Sequence, residues 1–222
     1  LIKQLLERYI KDMTDHLFEM AERVLHKSDL DPNPFAQFRK WYEPALTKIP
    51  INPNSMTLAT ADKSGMPSAR IVLLKDYDER GFVFYTNYES RKGRELEENP
   101  RAALVFYWNV LNMQIRIAGK VNKITREESE AYFRTRPKES QLGAWASKQS
   151  SVIESREALD RAYYELEAEY SGGDIPLPPF WGGFRLAPDT FEFWEGRTGR
   201  LHDRFRYTLQ PNDQWLIERL SP

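Results

Sequence analysis

The sequence predicts an α+β protein: a small, closed or nearly closed antiparallel barrel of about six or more strands with peripheral helices. Two observations predict it. From Ser55 onward, short runs rich in β-branched and aromatic residues alternate with Gly, Asp and Asn turn signals. Helical periodicity is confined to separate segments with no βαβ rhythm, so the strands form hairpins, and closing them into a barrel removes exposed edges.

The elements follow in order. From Leu1 to about Lys27, Ile2, Leu5, Leu6, Tyr9, Met13, Leu17, Met20 and Val24 recur at helical spacing, and residues 1–30 are expected to form a helical N-terminal arm. Asp31-Pro32-Asn33-Pro34 breaks the chain, and Phe35, Phe38, Trp41, Tyr42 and Leu46 mark a helix that ends before Pro50. Strands are predicted over Met56–Ala61, Ala69–Lys75 and Phe82–Thr86, separated by turns at Asp62–Gly65 and Asp78–Gly81. A charged helix runs from about Ser90 to Glu98 and stops at Asn99-Pro100. Strands follow over Ala102–Trp108 and Met113–Ile124 around an Asn109–Asn112 turn. Thr125 with Glu128 makes a capping box for a helix to about Arg134, closed by Pro137, and Ser155–Tyr170 carries a further charged helix. The last strands are expected at Trp181–Leu186, Thr190–Trp194, Gly199–Leu209 and Gln214–Leu220.

Composition narrows the chemistry. The 222 residues suit one compact domain, with 41% hydrophobic and 13% aromatic residues to build its core. With 32 basic against 33 acidic residues, the formal charge of -1 directs the chain to neither nucleic acid nor an anionic membrane. The absence of cysteine excludes a disulfide framework, a thiolate nucleophile and Cys-ligated metal, and only His16, His26 and His202 remain, so no metal site is expected. No apolar run reaches the length of a membrane span, and a soluble, cytoplasmic protein is expected. Neither a dinucleotide-binding glycine motif nor a phosphate-binding P-loop occurs.

Four constellations carry candidate chemistry. Ser90-Arg91-Lys92 places a hydroxyl and two cations at a helix start, where free N–H groups suit a phosphate monoester; an ordinary cap with solvated charges is the competing reading. Arg200-Leu201-His202-Asp203-Arg204, read as strand, puts Arg200, His202 and Arg204 on one face, which asks for an anion or an electron-rich ring unless the strand is a solvated edge. Ala69–Lys75 is an apolar strand bounded by Arg70 and Lys75, whose opposite parity sends them to opposite faces unless a bulge intervenes. Tyr132, Arg136 and Ser140 are spaced i, i+4, i+8 across Pro137, an aromatic face, a guanidinium and a hydroxyl suited to a second phosphate, or else a plain helix C-terminus. Gln114, Gln149 and Ser150 are weaker candidates for the polar edge of a heterocycle, and Trp194 alone reads as core. No carboxylate dyad or Ser-His-Asp arrangement stands out.

As a set these residues invite a phosphorylated cofactor and a phosphorylated substrate. The segments Ala69–Lys75, Phe84–Asn87 with Ser90–Lys92, Arg136-Pro137 with Gln141–Trp145, Lys148–Ser151, Phe180–Gly183, Glu192–Trp194 and Arg200–Arg204 occur in the order found in the pyridoxine (pyridoxamine) 5′-phosphate oxidase family, which the chain resembles over about residues 31–222. The resemblance implies an FMN-binding split β-barrel acting as a homodimer with FMN at the subunit interface. It implies Arg70, Ile71, Val72, Leu73, Tyr85, Thr86, Arg91, Lys92, Gln114, Gln149, Ser150, Trp194 and Arg204 as FMN-binding positions. Lys75, Tyr132, Arg136 and Ser140 match positions that grip the substrate phosphate, and Arg200 and His202 those beside the pyridine ring and its reacting carbon. The implied activity is oxidation of pyridoxine or pyridoxamine 5′-phosphate by O2 to pyridoxal 5′-phosphate, releasing hydrogen peroxide, and ammonia from the amine. The family's N-terminal Arg-x-x-Tyr is matched here at Tyr9 but not at Leu6. Competing expectations are the same barrel with another substrate, or a flavin or pyridoxal phosphate carrier without turnover.

Overall fold

A computed structural model of the chain describes residues 24–222. Most of the expected N-terminal helix lies outside the described residues; its end does not, and Lys27–Asp29 is a single 3-10 turn. Five α-helices and nine strands follow among the described residues. The helices are α1 (Pro34–Lys48), α2 (Arg91–Glu98), α3 (Arg126–Thr135), α4 (Lys138–Ala146) and α5 (Arg156–Glu169). The strands are β1 (Ser55–Ala61), β2 (Pro67–Leu73), β3 (Asp76–Asp78), β4 (Gly81–Asn87), β5 (Arg101–Trp108), β6 (Met113–Lys123), β7 (Trp181–Glu195), β8 (Asp203–Leu209) and β9 (Trp215–Arg219). Their hydrogen-bonding order is β2-β1-β5-β6-β7-β4-β3, with β8 paired to β7 and β9 to β8. No helix of the described residues is long and apolar enough to cross a membrane.

The chain divides into two compact units. The first comprises residues up to Leu58, Ala103–Gly119 and Pro188–Pro222; the second comprises Ala59–Ala102 and Lys120–Ala187.

In the first unit, Asn33 caps α1 by accepting from Phe35 N–H at 2.8 Å, and Pro34 occupies the first turn, where its missing N–H costs nothing. The apolar stripe of α1 is buried on aromatic strand residues. Phe38 meets Phe106 edge-on at 5.4 Å, and Trp41 meets Phe193 at 5.3 Å. The Tyr207 hydroxyl, in this same core, donates to the Asp31 carbonyl at 2.8 Å and so satisfies its one polar atom.

The second unit contains β3 and β4, registered with Tyr77 opposite Phe82, and β4 pairs with β7 so that Tyr85 faces Gly183. A second cluster, Phe133, Leu142, Ile175, Leu177 and Trp181, packs α3 and α4.

Several expectations are corrected. The turn expected after Asp78 is preceded by a short strand, β3, which the charged Asp76-Tyr77-Asp78 sequence concealed. Pro137 closes α3 and also stands at the N-cap of α4, with φ -53 and ψ 145, so one residue ends a helix and starts the next. The two strands expected on either side of Pro188 are one 15-residue strand, β7. The strand expected from Gly199 begins only at Asp203, because Gly199 (φ 62) and Arg200 (φ 61) are left-handed and form a 3-10 turn. Arg200, His202 and Arg204 therefore do not alternate along one strand face.

Candidate functional site

The second unit holds a cleft of about 570 Å³, lined among others by Arg70, Ile71, Val72, Leu73, Lys75, Tyr85, Thr86, Lys92, Tyr132, Arg136, Ser140 and Gln149. Twelve residues singled out from sequence thus share one cavity. Arg70 and Lys75 both reach it because β2 ends at Leu73; Leu74 turns into the core, and the Lys75 N–H pairs with the Val83 carbonyl at 2.9 Å. The parity argument that separated them applies only within an unbroken strand.

One end of the cleft is the start of α2. Ser90 caps it, its hydroxyl accepting from the Gly93 N–H at 3.3 Å. Lys92 is buried and donates to Gln149 Oε1 at 2.7 Å, Thr86 Oγ1 at 3.1 Å and Ser90 Oγ at 3.3 Å. All three acceptors are neutral. Burial, and then the neighbouring Arg70 charge, pull its ammonium down to about 8. A buried cation with neutral partners at a helix N-terminus is chemically suited to a phosphate dianion.

Arg70 and Arg91 are tied to a residue the sequence reading missed. Glu95, buried on α2, accepts from Thr60 Oγ1 at 2.5 Å, Ser68 Oγ at 2.5 Å and Arg70 Nη2 at 3.2 Å on one oxygen, and from Arg91 Nε at 2.8 Å on the other. Burial alone would raise its carboxyl, but the four donors outweigh it and hold the group at about 2. The available signal was its position four residues after Arg91, one turn on along the helix.

The other cation of the cleft is Arg136. Its guanidinium lies 4.6 Å over the Trp181 ring, and its Nη1 is buried without a hydrogen-bond partner among the described residues. Burial lowers its pKa from the ordinary arginine value. Trp181, also missed, stacks with Tyr85 at 5.4 Å, and Tyr85 stacks with Tyr132 at 4.0 Å. Lys75 Nζ lies 5.9 Å from the Tyr132 ring. Burial first, and then Tyr132, push the Tyr85 phenol up to about 12, so it is a neutral ring at any physiological pH. Arg136 also borders a second cavity of about 650 Å³. There Arg126 donates to the Leu177 and Pro178 carbonyls and Arg134 pairs with Glu130.

Arg91 and Ser150 lie outside the cleft lining; Arg91 is exposed, and Ser150 is an exposed left-handed residue with φ 70.

Gln114, Trp194, Arg200, His202 and Arg204 belong to the first unit. His202 packs on the Trp194 ring at 4.7 Å, and its Nδ1 accepts from the Arg197 backbone N–H at 3.0 Å. The loop carrying it is pinned by Asp203, which accepts from Arg197 Nε at 2.8 Å, Arg219 Nη1 at 2.6 Å and Leu25 N–H at 3.0 Å. Arg204 pairs across the strands with Trp194, and its guanidinium is held by Glu192 at 2.9 Å and by the Ser221 carbonyl at 2.8 Å. Gln114 is half-buried on β6, and Arg200 is exposed.

The chain matches the family described as pyridoxamine 5′-phosphate oxidase over residues 42–170, and the pyridoxine 5′-phosphate oxidase C-terminal dimerisation region over residues 181–222. It is 52% identical over 218 residues to a pyridoxine/pyridoxamine 5′-phosphate oxidase of Trichormus variabilis, covering 98% of this chain and all of the relative. It is 59% identical over 195 residues to one from Paraburkholderia phymatum, covering 88% and 92%. Among solved structures it resembles PhzG from Burkholderia lata in complex with tetrahydrophenazine-1-carboxylic acid, with a TM-score of 0.84, 34% identity and coverage of 91% of this chain and 100% of that one. A pyridoxamine 5′-phosphate oxidase-related, FMN-binding protein of Nostoc punctiforme, at 19% identity and a TM-score of 0.69 with 87% and 100% coverage, shares the fold. The expected split-barrel class is borne out by these structures.

Proposed function

The chain belongs to the pyridoxamine 5′-phosphate oxidase family, and from that premise we propose that it uses FMN and O2 to convert pyridoxine or pyridoxamine 5′-phosphate to pyridoxal 5′-phosphate. The alcohol yields the aldehyde and hydrogen peroxide. The amine, with one water, yields the aldehyde, ammonia and hydrogen peroxide.

One observation carries the reading: a single cleft is lined by Lys92, a buried cation with neutral partners, and by Arg136, a guanidinium with an unanswered buried nitrogen. Two cationic groups short of an anion, with an aromatic stack lining the same cleft, suit a flavin phosphate and a pyridine phosphate.

The residues present fit FMN. Lys92 and the start of α2, with Arg70 and Arg91, would hold its phosphate; Ile71 to Leu73, Tyr85, Thr86 and Gln149 would hold the rest from the same unit. Ser150, Gln114, Trp194 and Arg204 complete the proposed set, in a homodimer with FMN at the subunit interface. When bound, FMN supplies the redox chemistry, taking a hydride equivalent from the substrate's C4′ and passing electrons to O2.

The chain's own residues bind and orient. Arg136, Lys75 and Ser140 grip the substrate phosphate, with Tyr132 as an apolar wall. Since a backbone N–H can only donate, the Arg197 contact makes His202 Nδ1 the acceptor and leaves Nε2 as its donor atom. His202 and Arg200 would then hold the substrate ring in the orientation from which C4′ gives up its hydride equivalent. The phosphate-gripping residues favour this substrate over the carboxylic acid in the PhzG complex.

The test is an absorption spectrum of FMN-loaded protein in a sealed anaerobic cell, before and after pyridoxine 5′-phosphate. Bleaching of the flavin band, reversed by air with peroxide formed, is expected. A flavin band unmoved by substrate would refute the activity.

A further inference from the structure

We propose that Glu95 is a positioning residue of the flavin phosphate site: it aims Arg70 and Arg91 and thereby sets the preference for FMN over the unphosphorylated flavin. This rests on the FMN reading above.

Glu95 is the only acid among the groups it gathers. Thr60 comes from β1, Ser68 and Arg70 from β2, and Arg91 from its own helix one turn earlier. Each hydroxyl gives its single proton to the carboxylate, which turns its lone pairs toward Arg70. Arg70 Nη1 then donates to Thr60 Oγ1 at 2.5 Å and Nη2 to Ser68 Oγ at 2.5 Å. Both ends of the guanidinium are thus oriented through one acid. The side chain of Glu95 is 6% exposed and that of Arg70 20%, so solvent competes little for these bonds. Arg91 is more open at 58%, and the bond from its Nε leaves its terminal nitrogens toward solvent or ligand.

The arrangement needs a group that only accepts. An amide in this place presents a donor on one side. If that side meets Thr60 and Ser68, Arg70 loses its frame; if it meets Arg91 Nε, two donors oppose each other. Glu95→Gln is therefore close in shape and opposite in effect. Loss of aim at Arg70 and Arg91 is felt by a phosphate and not by an isoalloxazine ring, which separates this role from a general tie between α2 and the sheet.

The experiment is a fluorescence titration of the full-length apoprotein with FMN and with riboflavin. Wild type is expected to prefer FMN. Glu95→Gln is expected to lose about tenfold in FMN affinity with riboflavin affinity unchanged, and Glu95→Asp to recover part of the loss. In an Arg70→Ala/Arg91→Ala background, Glu95→Gln is expected to add nothing, since it acts through those two residues. Equal losses for both flavins, full retention of FMN affinity, or an additive effect in that background would overturn the proposal. If Glu95→Gln fails to fold, Ser68→Ala replaces it, with a smaller FMN-only loss expected and an absent or unselective loss counting against. A wild-type protein indifferent to the flavin phosphate sinks the FMN reading itself, and this inference with it.

Discussion

The backbone N–H of Arg197 and Nδ1 of His202 are 3.0 Å apart across a loop whose other end, Asp203, is fixed by two arginines and the Leu25 N–H. The imidazole is thus oriented by main chain, and it lies against the Trp194 ring at 4.7 Å with the two planes tilted by 45°. His202→Ala and Arg200→Ala are expected to keep FMN and to lose on the order of a hundredfold in turnover. Flavin absorbance per protein and peroxide release measure the two separately; normal turnover in Arg200→Ala would reject the assignment.

Lys92 gives a pH signature. In the free protein its ammonium titrates at about 8, below the ordinary lysine value of 10.5. A phosphate dianion beside it favours the charged form, so the value rises on binding and FMN takes up a proton wherever the free lysine is neutral. FMN affinity should therefore be level below that point and fall as pH rises through it, by up to about tenfold per unit. Lys92→Arg, charged throughout, should flatten the curve. Fluorescence titrations from about pH 6.5 to 10 check both.

Arg136 offers a split between KM and kcat. Its buried Nη1 has no hydrogen-bond partner among the described residues, and its guanidinium lies over the ring of Trp181. Arg136→Met should raise KM for pyridoxine 5′-phosphate by about 10- to 100-fold and change kcat little, while oxidation of unphosphorylated pyridoxine stays as it was. Steady-state peroxide assays with the two substrates decide it.

Gly93 tests how the helix start is seated. A Cβ there would sit 2.0 Å from the Tyr88 carbonyl oxygen, which is backbone and has little room to yield. Gly93→Ala should destabilise the fold by about 1–3 kcal/mol, lowering the thermal midpoint by several degrees, and should weaken FMN binding because Ser90 and Lys92 move with the helix. Scanning calorimetry and a flavin titration measure these; an unshifted midpoint would contradict the packing described.

Much of this protein was legible in one dimension because the deciding bonds are local. Asn33 caps α1, Ser90 caps α2, and Thr125 with Glu128 forms the reciprocal cap of α3, each within three residues of its partner. Strand texture likewise marked β1, β2 and β4 to β9, apart from the joining of β7 and the late start of β8. The residue types suited to two phosphates were visible, and twelve of the candidate site residues line one cleft.

Partners distant along the chain settled the rest. Lys92 meets Gln149 across 57 residues, and Glu95 meets Thr60 across 35. Glu95 sits in a segment, Arg-Lys-Gly-Arg-Glu-Leu-Glu-Glu, that reads as a solvated charged face; only packing against β1 and β2 buries it and makes it an acceptor for two arginines. Arg200 lost its strand because Gly199 and Arg200 are left-handed. Local pattern states which backbone hydrogen bonds a segment can make with itself. Burial, and with it the strength and partners of every charge, is set by which distant segments arrive beside it.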